Sequence, residues 1–511
     1  MGAYTLRDIL TKPSTGNDGD GARVALSFDG HSQTYDQVDW RSSQLAAGLL
    51  DSGFTKGDRL AVIMYNRSEW VELFFALAKI GGVIVPVNYL LTPKEIQYII
   101  DDCQANWIVV EDVLAKQVEA LEGMADRHLV RVGTSAPGSV SYESLLLDEL
   151  GPEVEVRSDD LFLLQYTSGT TGFPKGAMHT HSTVLWNAYH QVVDFDVNGG
   201  DIFHVTPALC WAAGFHDLAL ATLWRGGHVV LGRSSSFDPV EFLRGVQENR
   251  VTKVLLVPTV LKRVLGCEAF DQFDLSSLRQ VLSGGEPVPE TSLREMQRRL
   301  PDCDVLQVYG MSEFPSLMLL IDREASLARP TSTGKACSVA QVRLVDGDLT
   351  DVAPGVVGQI ICRSPATMIG YYGKAEATAD TLREGWLHTG DLAYRDEDGF
   401  VFMAGRAKDM IITGGLNVYP AEVERVIAAH PEVIEAAVVG VPDERWGEVG
   451  VAHVVVEPGS TVSVDDLLGT LRAEISAFKV PKRFVLKTEA LPRTTSGKVQ
   501  KVRIVELTMD R

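Results

Sequence analysis

At 511 residues with 45% hydrophobic content and no strong compositional bias, the chain is long enough to bury more than one core and is expected to form more than one globular domain. Acidic residues outnumber basic ones 68 to 47, for a formal charge of −21, which argues against wholesale adhesion to nucleic acid or to an anionic membrane surface. Any polyanionic ligand must therefore find a locally positive site.

The first residues, Met1 to Arg7, lack a basic stretch followed by an apolar one, and Leu6 stands where a myristoylation signal would have Ser or Thr. Neither an export signal nor a lipid anchor is expected. From about residue 35 to 260, helix-like stretches such as Trp40 to Ser52 alternate with β-branched runs such as Arg59 to Met64, Val83 to Val87 and Trp107 to Val110. That alternation predicts crossover units around largely parallel sheets. The most apolar stretch, Leu73 to Val87, is broken by Lys79, Gly81 and Gly82 and falls short of the ~20 apolar residues of a bilayer crossing. It reads as a buried helix running into a strand, with no integral membrane association.

Further along, three apolar runs each end in a loop of small or acidic residues: Leu161 to Tyr166 before TSGTTG, Gln280 to Leu282 before SGGEP, and Val305 to Tyr309 before GMSE. In open α/β sheets ligands sit beyond the carboxyl ends of strands, so these loops are expected to share one crevice. After Gly334 the texture shifts to shorter strand-like pieces at Val342 to Val345, Gly358 to Cys362 and Phe400 to Ala404, which read as a smaller β-rich subdomain. Beyond Arg406 a helix is expected from Ala421 to Ala429, strands at Val433 to Val439 and Val451 to Val456, and a helix near Val464 to Phe478. The expectation is an α/β fold: a large N-terminal domain, residues 1–406, of α/β sheets plus the β-rich subdomain, and a small mobile α+β C-terminal domain, residues 407–511. The six cysteines, Cys103, Cys210, Cys267, Cys303, Cys337 and Cys362, are scattered without a CxxC pair, and reduced thiols in a cytoplasm are expected.

The segment Tyr166-Thr167-Ser168-Gly169-Thr170-Thr171-Gly172-Phe173-Pro174-Lys175-Gly176 is dense in glycine and hydroxyls and closes on a lysine. Glycines let backbone approach phosphate, hydroxyls and amides donate hydrogen bonds, and Lys175 adds positive charge. Its spacing does not fit GxxxxGK[ST], because Pro174 falls where that motif needs glycine, so a P-loop kinase or ATPase is disfavoured. His179 and His181 follow as an HxH without a third ligand at conventional spacing, and a metal site there is the minority reading.

With these residues in view, the sequence resembles the adenylate-forming superfamily of acyl-CoA synthetases, aryl-CoA ligases, luciferases and peptide-synthetase adenylation domains, most closely its fatty-acid and aryl acid:CoA ligases. YTSGTTGFPKG resembles the phosphate-binding signature of that family. Ser283-Gly284-Gly285-Glu286-Pro287 and Val308-Tyr309-Gly310-Met311-Ser312-Glu313 resemble its adenine- and magnesium-binding segments, and Gly385-Trp386-Leu387-His388-Thr389-Gly390-Asp391 its ribose-binding segment. Gly405-Arg406-Ala407-Lys408-Asp409 and Pro492 to Lys498 resemble its hinge and its catalytic-lysine loop. The likeness covers almost the whole chain.

The resemblance implies ATP, magnesium and coenzyme A as cofactor, metal and co-substrate, with Lys498, Glu313 and Thr167 as catalytic groups. Thr167, Ser168, Gly169, Thr170, Thr171, Gly172 and Lys175 would hold phosphates. Gly284, Gly285, Glu286, Pro287, Tyr309, Gly310, Met311 and Ser312 would hold adenine. Asp391 and Arg406 would take the ribose, and Glu313 the magnesium, which wants one carboxylate and keeps several waters. Taken alone, Tyr309 would be an ordinary strand-end aromatic, Glu313 a solvated helix-start acid and Lys498 part of a solvated tail. An acyl pocket is implied at Cys210, Trp211, Gly214, Phe215, His216, Met311 and Phe314. There the family often has an aromatic or His where this chain reads Cys210-Trp211.

Lys408 stands at the implied hinge, where a few positions absorb the rotation between two domain arrangements. With Gly414, Gly415, Trp446, Phe478 and Lys479 it is also implied in coenzyme A binding, although Val480 stands where some relatives offer arginine. The function implied is ATP-dependent ligation of a carboxylic acid to coenzyme A through an acyl-AMP, by a cytoplasmic monomer or homodimer. The alternatives are loading of an acyl-carrier protein, a chain competent in only one half-reaction, and a luciferase-like oxygenase. Trp211, Phe215, Met311 and Phe314 suggest an apolar medium-length, long or polycyclic acid.

Overall fold

The computed structural model describes residues 4–14, 22–134, 138–167, 174–286, 288–314, 316–494 and 499–509. By packing, the chain divides into two compact units, Met1–Gln341 with Arg363–Gly385, and Val342–Cys362 with Trp386–Arg511.

The first unit holds two sheets. One has nine strands, ordered Lys335–Ala336, Ser316–Leu320, Asp304–Met311, Gln280–Gly284, Lys253–Leu255, Ile202–Val205, His228–Leu231, Val24–Phe28 and His31–Thr34. The other has eight, ordered Gly370–Tyr371, Lys175–Thr180, Leu161–Thr167, Val83–Pro86, Arg59–Ile63, Trp107–Glu111, His128–Val132 and Val140–Ser141. Their centres are parallel, as expected where helical crossovers bury both faces; both ends of the nine-stranded sheet and the Gly370–Tyr371 end of the eight-stranded one are antiparallel, whereas Val140–Ser141 pairs in parallel.

The elements start and stop where local chemistry directs. Tyr35–Asp51 and Pro93–Asp102 open on reciprocal capping boxes, Thr34 with Gln37 and Thr92 with Glu95, which satisfy amide groups that a helix start leaves unpaired. The apolar stretch expected to be a helix entering a strand forms helix Ser68–Ile80 and strand Val83–Pro86. That helix buries Trp70, Phe74 and Phe75, with the Phe74 ring 4.7 Å from both Phe162 and Phe215. Each such ring contributes about 2–3 kcal/mol of burial. Its one charged core residue, Glu72, accepts from Arg41 Nε at 2.6 Å and from Tyr142 Oη and Gln33 Nε2 at 2.7 Å, so the carboxylate does not sit unpaired.

In the second unit, Gly358–Arg363 pairs antiparallel with Trp386–Arg395, which pairs antiparallel with Val401–Arg406. A further sheet runs Leu416–Val418, Ile411–Thr413, Gly447–Val456, Val433–Asp443, with Arg483–Lys487 joining Gly447–Val456 in parallel. Helices Pro420–Ala428 and Val464–Glu474 supply Val423, Ile427, Leu467 and Leu471 to its core. The packing units are a different partition from one cut at residue 406. Val401–Arg406 continues the ladder of Trp386–Arg395, and a Cβ on its Gly405 would lie 3.9 Å from Ala421 of the next helix. Among the described residues no helix is long and apolar enough to cross a membrane.

Candidate active site

Both ends of the glycine- and hydroxyl-rich segment lie on paired strands. Leu161–Thr167 pairs antiparallel with Lys175–Thr180 up to Thr167 opposite Lys175. Ser168, Gly169, Thr170, Thr171 and Gly172 lie outside the described residues. This end of the strand pair is braced by a network absent from any motif: Tyr166 Oη donates to Asp102 Oδ2 at 2.7 Å, Lys374 Nζ pairs with Asp102 Oδ1 at 2.6 Å, and Tyr98 Oη donates to the Pro174 carbonyl at 3.2 Å. Burial, and then its acidic surroundings, push the Tyr166 phenol far above its ordinary range, so it remains a hydrogen-bond donor.

Lys175 and Glu313 meet at one side chain. Tyr371 Oη donates to Glu313 Oε1 at 2.7 Å, and Lys175 Nζ lies 5.0 Å from the centre of the Tyr371 ring, within cation–π range. Glu313 is buried. Its loop is held by Met368 N donating to the Glu313 carbonyl at 2.9 Å and by His179 Nε2 2.8 Å from the Ser312 carbonyl. A buried carboxylate is a fitting ligand for a hard cation, and a lysine at the end of a glycine-rich segment is a fitting donor to phosphate. Tyr371 was missed by the sequence reading: it lies 58 positions from Glu313, and no spacing rule connects them.

On the neighbouring strands, Gln280–Gly284 and Asp304–Met311 run parallel with Gly284 opposite Val308. A Cβ on Gly284 would lie 2.2 Å from the Val308 carbonyl oxygen, so only glycine allows the two strand ends to approach. The half-buried Tyr309, Gly310, Met311 and Ser312 follow along the second strand and its end, and Gly285 and Glu286 along the first. Pro287 lies outside the described residues.

Of the expected acyl-pocket residues, Cys210 is buried, with its carbonyl held by Gln165 Nε2 at 3.1 Å. A Cβ on Gly214 would lie 2.1 Å from the Ala208 carbonyl oxygen. Phe215 is a core residue, packed on Trp70 at 5.0 Å as well as on Phe74. Phe314 is fully buried, with its ring 6.2 Å from that of His190. His216 is buried, and its carbonyl accepts from Asn187 Nδ2 at 2.9 Å and Gln191 Nε2 at 2.8 Å.

His179 and His181 do not share a ligand position: His181 Nδ1 faces the Leu6 amide at 3.4 Å, whereas His179 faces Ser312. Among the described residues, the group with metal-ligand proximity is instead His190, Asp194 and Cys337, within 4.8 Å of one another. There Asp194 Oδ2 is already occupied by His190 Nδ1 and by the amide and hydroxyl of Ser338. The six cysteines are free thiols, and burial pushes Cys103, Cys210, Cys303 and Cys337 up to about 12.

In the second unit, Asp391 and Arg406 stand directly opposite each other, joined by Arg406 Nε to Asp391 Oδ1 at 3.2 Å. Thr389 Oγ1 donates to the Ile360 carbonyl at 2.8 Å and accepts from the Asp391 amide at 3.0 Å. Lys408 lies in the short turn Ala407–Asp409. Gly414 donates to the Trp446 carbonyl at 2.7 Å, with Gly415 beside it. The exposed Trp446 ring carries Arg445 at 4.8 Å and Lys482 at 6.0 Å. Lys479 Nζ is 5.8 Å from the Phe478 ring centre but already bonds both oxygens of Glu422 at 2.8 Å. Lys498 lies outside the described residues.

A family model of the AMP-binding enzymes matches residues 16–372, and that of the AMP-binding enzyme C-terminal domain matches residues 422–498. The chain belongs to the AMP-binding enzyme family. Among members of this family it is 40% identical over 479 residues to a feruloyl-CoA synthase of Amycolatopsis sp, covering 94% of each chain. It is 34% identical over 483 residues to the indoleacetate–CoA ligase of Aromatoleum aromaticum, again covering 94% of each. A solved AMP-binding enzyme, anthranilate CoA ligase in complex with anthranoyl-AMP, superposes with a TM-score of 0.90 at 27% identity, over 100% of this chain and 98% of that one.

Proposed function

We propose that the chain activates an aryl carboxylic acid as its acyl-adenylate and passes the acyl group to coenzyme A. The observation that carries this reading is the joining of Lys175 and Glu313 through Tyr371 at the Lys175 end of the glycine-rich segment. It is supported by family membership and by relatives named for ligation of ferulate, indoleacetate and anthranilate to coenzyme A.

A carboxylate resists a thiol because it is anionic and would have to expel oxide. As a mixed anhydride with AMP it has a competent leaving group. In this proposal Lys175, Thr167 and Ser168 to Gly172 bind the phosphates, while Gly284 to Pro287 and Tyr309 to Ser312 hold adenine. Glu313 would hold magnesium, which when bound neutralises phosphate charge. Asp391 and Arg406 are assigned the ribose, and Lys498 the neutralisation of charge as the acid attacks phosphorus.

The 407–511 segment is assigned the mobile role, with Lys408 as hinge. For coenzyme A, Gly414 and Gly415 are assigned the thiol arm and Trp446 and Phe478 stacking. Arg445 and Lys482 are better placed for its phosphates than Lys479, which Glu422 already holds. The buried free thiols support a cytoplasmic setting.

The test is AMP release with ATP, magnesium, coenzyme A and a panel of aryl, alkanoic and amino acids. Aryl-CoA should accumulate with AMP in equal amounts. Absence of AMP with every acid, or AMP without a thioester, would overturn the reading.

A further inference from the structure

The helix His181–Asp194 and the chain just after strand Lys335–Ala336 bring three ligand-type side chains together. One nitrogen of His190, one oxygen of Asp194 and the Cys337 sulfur all lie within 4.8 Å of one another. His190 and Asp194 stand one helical turn apart and so share a face; Cys337 reaches them from a distant part of the chain.

The surrounding hydrogen bonds decide what each atom can offer. Asn187 Nδ2 donates to the His216 carbonyl at 2.9 Å, so Asn187 Oδ1 is the atom that lies 3.2 Å from His190 Nε2. An amide oxygen only accepts, and Nε2 therefore carries the ring proton. The other ring nitrogen, Nδ1, lies 3.0 Å from Asp194 Oδ2. In a neutral ring that sets a lone pair against a carboxylate oxygen, which is stable only if a cation joins them. The cation is either a second proton on His190 or a metal ion.

Cys337 decides between the two. Its side chain is 3% exposed, and its S–H has no acceptor among the described residues, whereas the buried Cys103 and Cys303 donate to the Ile100 and Asp304 carbonyls. Against the burial that raises the Cys337 thiol, the Val339 amide favours its anion. A proton shared by His190 and Asp194 gives no use to this sulfur, while a metal ion engages all three groups at once.

Asp194 is prepared for the same part. Ser338 holds its Oδ2 through the backbone amide at 3.0 Å and the hydroxyl at 3.1 Å, and its Oδ1 makes no hydrogen bond among the described residues. The carboxylate is thus oriented with an oxygen to spare, and Asn187 fixes the tautomer of His190; outer partners of this kind set the ligands of metal sites. Ser338 is exposed and Asp194 partly so, which gives an ion a path from solvent. Imidazole nitrogen, thiolate sulfur and carboxylate oxygen together suit zinc and not magnesium, which keeps to oxygen and water. Tetrahedral zinc at its usual bond lengths separates ligand atoms by about 3.5 Å, so side-chain movement of about 1 Å closes the cluster around it.

We propose that His190 Nδ1, Asp194 and Cys337 Sγ bind one zinc ion, with water as the fourth ligand, as a structural clip between the helix His181–Asp194 and the chain after Ala336. On binding, the Cys337 thiol releases its proton to solvent, and sulfur, Nδ1 and a carboxylate oxygen each give an electron pair to the ion. The site is chemically distinct from Glu313, to which magnesium is assigned, and does not depend on the ligase reading.

The test is metal binding by the full chain, stripped with a chelator, reduced, and titrated with cobalt(II) and then zinc(II). One equivalent of cobalt should give a thiolate-to-cobalt charge-transfer absorption in the near ultraviolet that zinc displaces, and zinc should raise the melting temperature. Cys337→Ser should abolish the absorption and weaken zinc binding by about 100-fold or more, whereas Cys267→Ser, at the least buried thiol, should leave both intact. Ser338→Ala should weaken zinc binding about tenfold. The proposal is overturned if the wild-type chain binds cobalt only at millimolar concentration or without the thiolate absorption, in which case a second proton on His190 takes the place of the metal. It is equally overturned if the absorption survives in Cys337→Ser or is lost in Cys267→Ser. The wild-type spectrum needs no variant to fold.

Discussion

The Tyr371 hydroxyl donates to Oε1 of Glu313 at 2.7 Å, across 58 positions of chain. Burial and the neighbouring carboxylate push the Tyr371 phenol well above its ordinary value, so it donates throughout the working pH range and orients Glu313. If Glu313 holds magnesium, Tyr371→Phe should raise the magnesium concentration for half-maximal pyrophosphate release about tenfold, as loss of an orienting partner commonly does. Glu313→Gln should lower the maximal rate itself. A magnesium titration of both variants separates the two effects; an unchanged requirement in Tyr371→Phe would detach the tyrosine from the ion.

Lys498 is assigned to adenylation alone. Lys498→Ala should slow acid-dependent pyrophosphate exchange by about 10²- to 10³-fold, the usual cost of removing one charge-stabilising donor. Thioester formation from supplied acyl-adenylate should remain comparatively intact. Equal loss in both assays would remove the lysine from its proposed role.

Close packing makes a sharper claim about two glycines. A Cβ at Gly214 or Gly284 would lie 2.1 or 2.2 Å from a backbone oxygen, and backbone cannot yield as a side chain does. Gly214→Ala and Gly284→Ala should each lose about 1–3 kcal/mol in urea unfolding. Gly469, within the helix Val464–Glu474, has no atom within 4 Å of the added methyl, so Gly469→Ala should gain about 0.5–1 kcal/mol.

Five histidines whose rings burial holds neutral make stability depend on pH. His179, His181, His204 and His228 are lowered by burial from an ordinary 6.5 to about 4, and His216 to about 3. Their folded values lie below the unfolded one, so the stability they contribute is complete above pH 6.5 and drains away as pH falls through 4. In that window the unfolded chain binds the extra protons, at roughly 1.4 kcal/mol per proton per pH unit. Asp217, raised well above 3.8 by burial, acts in the opposite sense with at most one proton. Unfolding free energies at pH 7, 6 and 5 should therefore fall with pH, and His216→Phe should flatten the slope by about one proton. A flat profile would refute the neutral burial of these rings.

Much of the architecture was legible in the chain. The helix Ser68–Ile80 and strand Val83–Pro86 lie where a broken apolar run implied them, and the strands before the TSGTTG, SGGEP and GMSE loops appear as Leu161–Thr167, Gln280–Gly284 and Asp304–Met311. Each depends on side-chain periodicity and turn residues within a short window. The antiparallel return Lys175–Thr180, the short edge strand Gly370–Tyr371 and the grouping of residues 342–362 with the C-terminal residues were not legible. These depend on which distant strand offers a free edge.

The sequence by itself determined the family, through glycine, hydroxyl and lysine patterns that must be local because each shapes a single turn of backbone. Tertiary structure alone decided that Glu313 leans on Tyr371, that Asp102 clamps Tyr166 and Lys374, that Lys479 is held by Glu422, and that the His216 ring nitrogens find no partner among the described residues. Such pairings join residues far apart in the chain, and only the register of packed strands and helices sets which polar atoms meet and which are left over.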